Sequence, residues 1–394
     1  MIRVLLLSLS LIPLVGTLQA QKRPAERRCL LEILNVDREG TRTQFGSQTN
    51  YAAGGNVRLR CQKQQVFMQG DSLEAIAGEW IRLITGAQYR DEDVTIDADT
   101  LTYLRSQETL QARGSVRVVT LSNGSTLEGP YVDHFRAVRG VRDSSETVAM
   151  QRPRVEYQVA RGAGDSAQPS PYIIVADGLR GRGTSQLTGW GDVTVDRDSM
   201  AGRGDSLKYA KGEFDQFTLI GNLASLVRSG EDSFSVRGRN VILQLQGQDL
   251  RRVQAIRDGH VVGQAGEITS ENASLDFADG MLVGTTAWGR EGNANVVADG
   301  YDVRGDSVEI DTPSERLREL RVFGNGRLVE PCAAPPDSAI AAVPDSLLPA
   351  ADSVPPEPIC NTITGSRVTV RFVDHDSSGT LLTQLSDITA IGSA

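Results

Sequence analysis

The chain has 394 residues, a formal net charge of -9, 39% hydrophobic and 23% charged residues. That balance excludes a disordered tail and a multi-span membrane protein, and the acidic charge excludes nucleic-acid binding through a dominant basic surface. Aromatic residues at 5% are too few for the Trp and Tyr girdles of an outer-membrane barrel.

At the N-terminus Arg3 precedes an apolar run from Val4 to Val15, too short to span a bilayer. The run leads to Gln19-Ala20 and the polar Gln21-Lys22-Arg23. A charged start, an apolar core and a small residue before the cut are the layout of a secretory signal peptide over residues 1–20. No later segment approaches 18 apolar residues, so the mature chain is expected to be soluble, exported to the periplasm and associated there with the outer membrane. Export permits disulfides, and Cys29, Cys61, Cys332 and Cys360 are the candidates. Their positions favour local pairs, but four cysteines allow three connectivities and spacing leaves the choice open. No C-x-x-C occurs and His134, His260 and His375 are scattered, so no metal site or cofactor is expected.

Past the signal, short alternating segments are broken by Gly, Asn and Asp: Val57–Cys61, Val116–Val118, Val193–Asp196 and Val368–Phe372. Period two places Val57, Leu59 and Cys61 on one face and Arg58 and Arg60 on the other. Two elements recur. The first is an acidic residue, a small one and an aliphatic one, as in Asp71-Ser72-Leu73, Asp99-Thr100-Leu101, Asp177-Gly178-Leu179, Asp205-Ser206-Leu207 and Asp306-Ser307-Val308. The second is a glycine opening a strand, at Gly55, Gly114, Gly191, Gly221, Gly259 and Gly326. Asp99 to Gly114, Asp177 to Gly191 and Asp205 to Gly221 span 15, 14 and 16 residues, and Asp71 to Asp99 and Asp177 to Asp205 both span 28. A recurrence near 30 residues implies a supersecondary unit stacked on itself, here two or three strands of roughly five or six residues each. Glycine supplies the turn conformations and Asp or Asn the side-chain turn bonds.

The expected organisation is an elongated all-β chain: a first β segment over 21–161, a loop or linker at 162–171, a second β segment over 172–330, a Pro-rich insertion at 331–360 and final strands over 361–394. The chain ends at Gly392-Ser393-Ala394, inside what reads as another copy of the glycine element.

These residues carry a resemblance. The stretch Val94-Thr95-Ile96-Asp97-Ala98-Asp99-Thr100-Leu101 leading to Gly114-Ser115-Val116-Arg117-Val118, repeated along the chain behind a signal peptide, resembles the OstA-like family of LptA-type lipopolysaccharide-transport domains. The resemblance implies an open β-jelly roll whose apolar interior holds the acyl chains of lipid A. It also implies a non-enzymatic carrier or bridge towards the outer membrane, joined to other envelope transport proteins, or to copies of itself head to tail, through terminal strand edges. Val57, Leu59, Val116, Val118, Val193, Val195 and Leu207 are the expected interior, lipid-facing positions, with headgroup phosphates near arginines such as Arg58, Arg60 or Arg117. The competing reading is a structural or adhesive envelope solenoid with a solid core and no lipid.

Gly70-Asp71-Ser72-Leu73 and Gly204-Asp205-Ser206-Leu207 spell an esterase nucleophile block. They recur at one repeat phase with no histidine set to activate the serine, so no catalytic residue is assigned and the chain is expected not to be an enzyme.

Overall fold

The computed structural model describes residues 29–62, 64–138, 140–158, 169–230, 233–264, 266–290, 292–298, 300–313, 316–330, 361–377 and 380–392. The expected signal peptide, Cys332, Cys360 and the Pro-rich insertion lie outside them. Among the described residues the fold is all-β, without an α-helix.

β1 (Leu31–Asn35) and β2 (Arg38–Phe45) both pair with β3 (Gln48–Cys61). The chain then meanders through β4 (Phe67–Ile76), β5 (Trp80–Arg90), β6 (Val94–Leu104), β7 (Thr109–Thr120) and β8 (Thr126–Phe135). Two interrupted rungs follow, β9 (Glu146–Met150) with β10 (Arg154–Tyr157), then β11 (Tyr172–Val175) with β12 (Gly178–Arg182). Next come β13 (Gln186–Arg197), β14 (Met200–Ala210), β15 (Asp215–Arg228), β16 (Phe234–Gln246), β17 (Asp249–Gly263) and β18 (Gly266–Ala278). Two more interrupted rungs, β19 (Met281–Trp288) with β20 (Ala294–Ala298) and β21 (Tyr301–Gly305) with β22 (Ser307–Asp311), lead to β23 (Glu319–Val329), β24 (Thr362–Ser377) and β25 (Thr380–Ile391). Each strand pairs antiparallel with its neighbours, giving one continuous ladder. The strands on either side of the expected linker, of which only residues 169–171 are described, belong to one ladder, because β10 pairs directly with β11.

The strands are longer than the five or six residues expected, and the reason is a crease. Nearly every long pair shifts register near its middle, as between Asp97 and Thr100 opposite Arg117 and Arg113. On β4, β6, β16 and β18 the buried positions step by three across this point, from Gly70 to Leu73, Ala98 to Leu101, Gly238 to Val241 and Ser270 to Ala273. On β5, β7, β13 and β17 they step by four, from Leu83 to Ala87, Ala112 to Val116, Gly189 to Val193 and Ala255 to Gly259. One strand of each hairpin therefore carries an extra residue, which is a β-bulge that bends the strand while keeping one face inward. A strict alternation sees only the half-strand on one side of each bulge.

The two recurring sequence elements meet at this crease. Gly114, Gly191 and Gly324 adopt φ of 92°, 74° and 67°, and a Cβ on any of them would strike the carboxylate of Asp99, Asp177 or Asp306 respectively. The Asp99 carboxylate accepts a hydrogen bond from the Ser115 backbone N–H at 3.0 Å, and Asp306 accepts one from Gly292 at 2.6 Å. The repeat unit is thus a two-strand hairpin, one strand bringing the Asp and the next the bulge it caps.

The crease folds the ribbon into two layers. The first holds β1, β10, β11, β20, β21 and the half-strands in register with them; the second holds β2, β9, β12, β19, β22 and β25 with their half-strands. Side chains from the two layers touch: Tyr157 and Tyr209 at 4.9 Å between ring centroids, Tyr172 and Phe217 at 4.8 Å, Phe234 and Phe277 at 5.6 Å. The buried residues form two clusters, from Cys29 to Ala149 and from Val155 to Val370, with Leu127 against both. Cys29 and Cys61 form a disulfide that ties the start of β1 to the end of β3. That bond is compatible with an exported protein, and among the described residues no helix is long and apolar enough to cross a membrane.

Candidate functional site

All seven expected interior positions point between the layers. Val57, Leu59, Val116, Val118, Val193, Val195 and Leu207 are each at most 7% exposed. They fall in the two packed clusters, the first four in one and the last three in the other, and none of them lines the cleft or the smaller void described next. Arg58, Arg60 and Arg117 sit on the outer face of the first layer, where they contact Asn56, Glu32 and Glu128. They are therefore remote from the interior.

Space between the layers opens elsewhere, over the rungs from β15 to β22. A cleft of about 80 Å³ lies there. The first layer supplies Phe234, Val261, Ile268 and Val296, and the second supplies Leu275, Phe277, Leu282 and Ile310. Its polar groups are Thr285, Thr312, Ser233, Gln264 and Arg228. Farther along the ribbon, a second void of about 10 Å³ lies among Tyr301, Leu317, Leu320, Leu328 and Phe372. Apolar walls with polar groups at the margin suit a molecule that is itself amphipathic.

Opposite the crease the two layers end in separate rows of turns, and arginines reach from one row to the other. Arg228, the last residue of β15, donates through Nη1 to the Gly280 carbonyl at 2.9 Å. Arg197, the last residue of β13, donates to the Tyr172 hydroxyl at 3.0 Å and to the Gln248 carbonyl at 3.4 Å.

The N-terminal half closes with a larger polar cluster. Arg136, just past β8 in the second layer, pairs with Glu108 at 2.6 Å and approaches Asp91 of the first layer at 4.0 Å. It also donates to the Gln64 side chain at 3.0 Å. Tyr103 donates to Glu108 at 2.7 Å and Tyr89 to Asp91 at 2.6 Å. Burial is the main cause that pushes both phenols above their ordinary range. His134 is 1% exposed; its Nδ1 lies 2.9 Å from the Thr147 hydroxyl and its Nε2 has no partner. Burial lowers its pKa to about 4, with Arg136 and Arg142 acting in the same direction. The group is a neutral imidazole packed against a buried ion pair.

Among the described residues no group of three His, Cys, Asp or Glu side chains is placed to hold a metal ion. Asp205 of one esterase-like block and Asp306 of the same recurring element lie at the crease, where their carboxylates face the Gly221-Asn222 and Gly324 bulges. The cleft and the rim arginines are absent from the expected set because period-two alternation reports which way a side chain faces, not whether a partner fills the space opposite. One signal was available: Arg197 and Arg228 are 31 residues apart, the repeat spacing, each at the end of a bulge-bearing strand. No protein-family model matches this chain, and no curated protein matches it.

Proposed function

We propose that this protein is a non-enzymatic carrier that takes the acyl chains of an amphiphile between its two layers, with lipopolysaccharide as the ligand and the periplasm as the compartment. The observation that supports this reading is the apolar cleft bounded by Phe234, Val261, Phe277 and Leu282, open between the two rows of turns. The fold acts passively: the bulged crease serves as a spine, and the apolar walls replace water around the chains at about 0.8 kcal/mol for each methylene buried. Transfer along a pathway then proceeds through the ribbon's ends, β1 and β2 at one and β25 at the other, whose outer edges pair with no further strand among the described residues and suit strand addition by other envelope proteins or by a second copy. A structural solenoid is the competing reading, and the packed N-terminal cluster favours it for that half of the molecule.

Native mass spectrometry of protein purified from a lipopolysaccharide-bearing host tests the carrier reading. The expected result is a discrete added mass matching lipid A or lipopolysaccharide, and its loss in Leu282→Arg with thermal unfolding unchanged, since Leu282 is only partly buried. A clean apo mass with no uptake of added lipid sinks the carrier reading in favour of the solenoid.

A further inference from the structure

At mid-depth in the cleft one polar side chain interrupts an apolar wall. Thr285 faces inward from β19, lines the cleft and is 6% exposed. Its register neighbours are Leu275 on β18 and Ile310 on β22. The same inward row continues through Val253 and Leu243 on one side and through Leu320 and Val370 on the other. These neighbours are all apolar and at most 8% exposed. Among the described residues the Thr285 hydroxyl makes no hydrogen bond, and its oxygen is not sealed away from the cleft. Thr312 differs. It lies two residues beyond Ile310, about 7 Å nearer the mouth, and its hydroxyl is already committed to the Leu282 carbonyl at 3.4 Å.

The strand does not need the Thr285 hydroxyl, because valine is branched in the same way and suits a pleated, half-buried surface as well. While the cleft is open, solvent reaches the oxygen. A plain alkyl chain that fills the cleft expels that solvent and strands the hydroxyl, which weighs against binding. A chain with an oxygen at the same depth restores the bond. We propose that Thr285 is a specificity-determining residue: it favours an amphiphile whose chain carries a hydroxyl or an ester carbonyl a few carbons below the headgroup over one whose chain is plain alkyl. This inference rests on the carrier reading and adds to it the chemistry of the chain.

Calorimetric titration of the full chain with dodecanoate, β-hydroxydodecanoate and ω-hydroxydodecanoate, each below its micelle concentration, tests it on the wild type and on Thr285→Val. The informative quantity is the affinity for the β-hydroxy acid divided by that for dodecanoate, compared between proteins, because the ligands' own difference in water then cancels. In Thr285→Val this ratio is expected to fall about fivefold or more, and dodecanoate is expected to bind more tightly than it does to the wild type. Thr285→Ala also lacks the hydroxyl and gives the same reading where the Val variant does not fold. Thr285→Ser, which keeps the hydroxyl, is expected to retain the wild-type ratio. The ratio for the ω-hydroxy acid, whose oxygen lies at the far end of the chain, is expected to be the same in every variant. An unchanged β-hydroxy ratio in Thr285→Val or Thr285→Ala overturns the inference and leaves the carrier intact. An equal fall for the β-hydroxy and ω-hydroxy acids overturns it as well, since the effect is then one of general polarity. If none of the three acids binds, the carrier reading falls and the inference with it.

Discussion

The two halves of this ribbon share one backbone plan and differ in what they enclose. Between β3 and β9 the interior is filled by Leu, Val and Tyr side chains and its mouth is closed by Arg136, Glu108, Asp91, Tyr89 and Tyr103. Between β15 and β22 the crease is the same, yet the layers leave an apolar cleft, with Arg228 reaching from one row of turns to the Gly280 carbonyl in the other at its margin. The hairpin repeat therefore sets the shape of the ribbon, and the side chains at the rim decide whether a given stretch is a sealed core or a site. A buried ion pair is expensive to open, because separating it strands charge out of water. The N-terminal half is packed and closed by charge, whereas the C-terminal half leaves apolar space between the same two layers.

The largest expected effect comes from removing the disulfide of the closed half. The Cys29–Cys61 bond closes a loop with a sequence separation of 32, and chain-entropy arguments give such a bond about 3 to 4 kcal/mol. The double variant Cys29→Ser/Cys61→Ser should lose that stability in chemical denaturation while its ligand titration, where the cleft binds, is unchanged. Weakened ligand binding would show that the halves are coupled. Next in size is Arg136→Met. The guanidinium is buried, and its loss leaves Glu108 without its cation and Asp91 without its neighbour, so a cost of about 3 kcal/mol is expected. Glu108→Gln in the same background should recover part of it, because the stranded charge is then gone. No recovery would mean that the cluster contributes through packing alone.

How much of this difference was legible in the sequence follows from what each residue type records. The all-β class and the repeat were readable because Asp99, Asp177, Asp205 and Asp306 recur with glycine partners 14 to 18 residues on, and the bulge they build favours those residue types. The inward orientation of Val57, Leu59, Val116, Val118, Val193, Val195 and Leu207 was readable because alternation within a half-strand is local. The strand lengths were not, since the bulge changes the inward step to three or four and breaks the alternation where the ladder continues. The cleft was not readable either. Val193 and Val261 look alike in sequence, and only the opposite layer determines that one meets a partner and the other a space. Arg58 and Arg60 stood out by alternation, whereas Arg136 and Arg228 act from strand ends, where no periodicity marks them.

His134 gives the comparison a pH dependence. Its folded pKa of about 4 lies below the ordinary 6.5, so between those values the unfolded chain binds a proton that the folded chain refuses. Above pH 6.5 both states are neutral and there is no effect; as pH falls from 6.5 to 4 the N-terminal half loses stability, by about 2 to 3 kcal/mol at the lower limit. Carboxylates titrate in the same window, so the informative quantity is the difference between wild type and His134→Gln across it. The variant should lose less stability on acidification. Parallel curves for the two proteins would show that His134 is not the group responsible.

The smallest effect tests what the halves have in common. Gly114 and Gly324 occupy equivalent bulges, with φ of 92° and 67°, facing Asp99 and Asp306. Alanine at either position pays the left-handed backbone penalty of about 1 to 2 kcal/mol, and its methyl must also displace a carboxylate that is already bonded to the neighbouring backbone. A loss of about 2 kcal/mol is expected for Gly114→Ala and for Gly324→Ala alike, measured by denaturant unfolding of each. Equal losses place the crease under both interiors as one shared device, indifferent to whether the space above it is filled. A much smaller loss at Gly324 would mean that the C-terminal crease yields more readily, so that the spine beneath the cleft is the softer of the two.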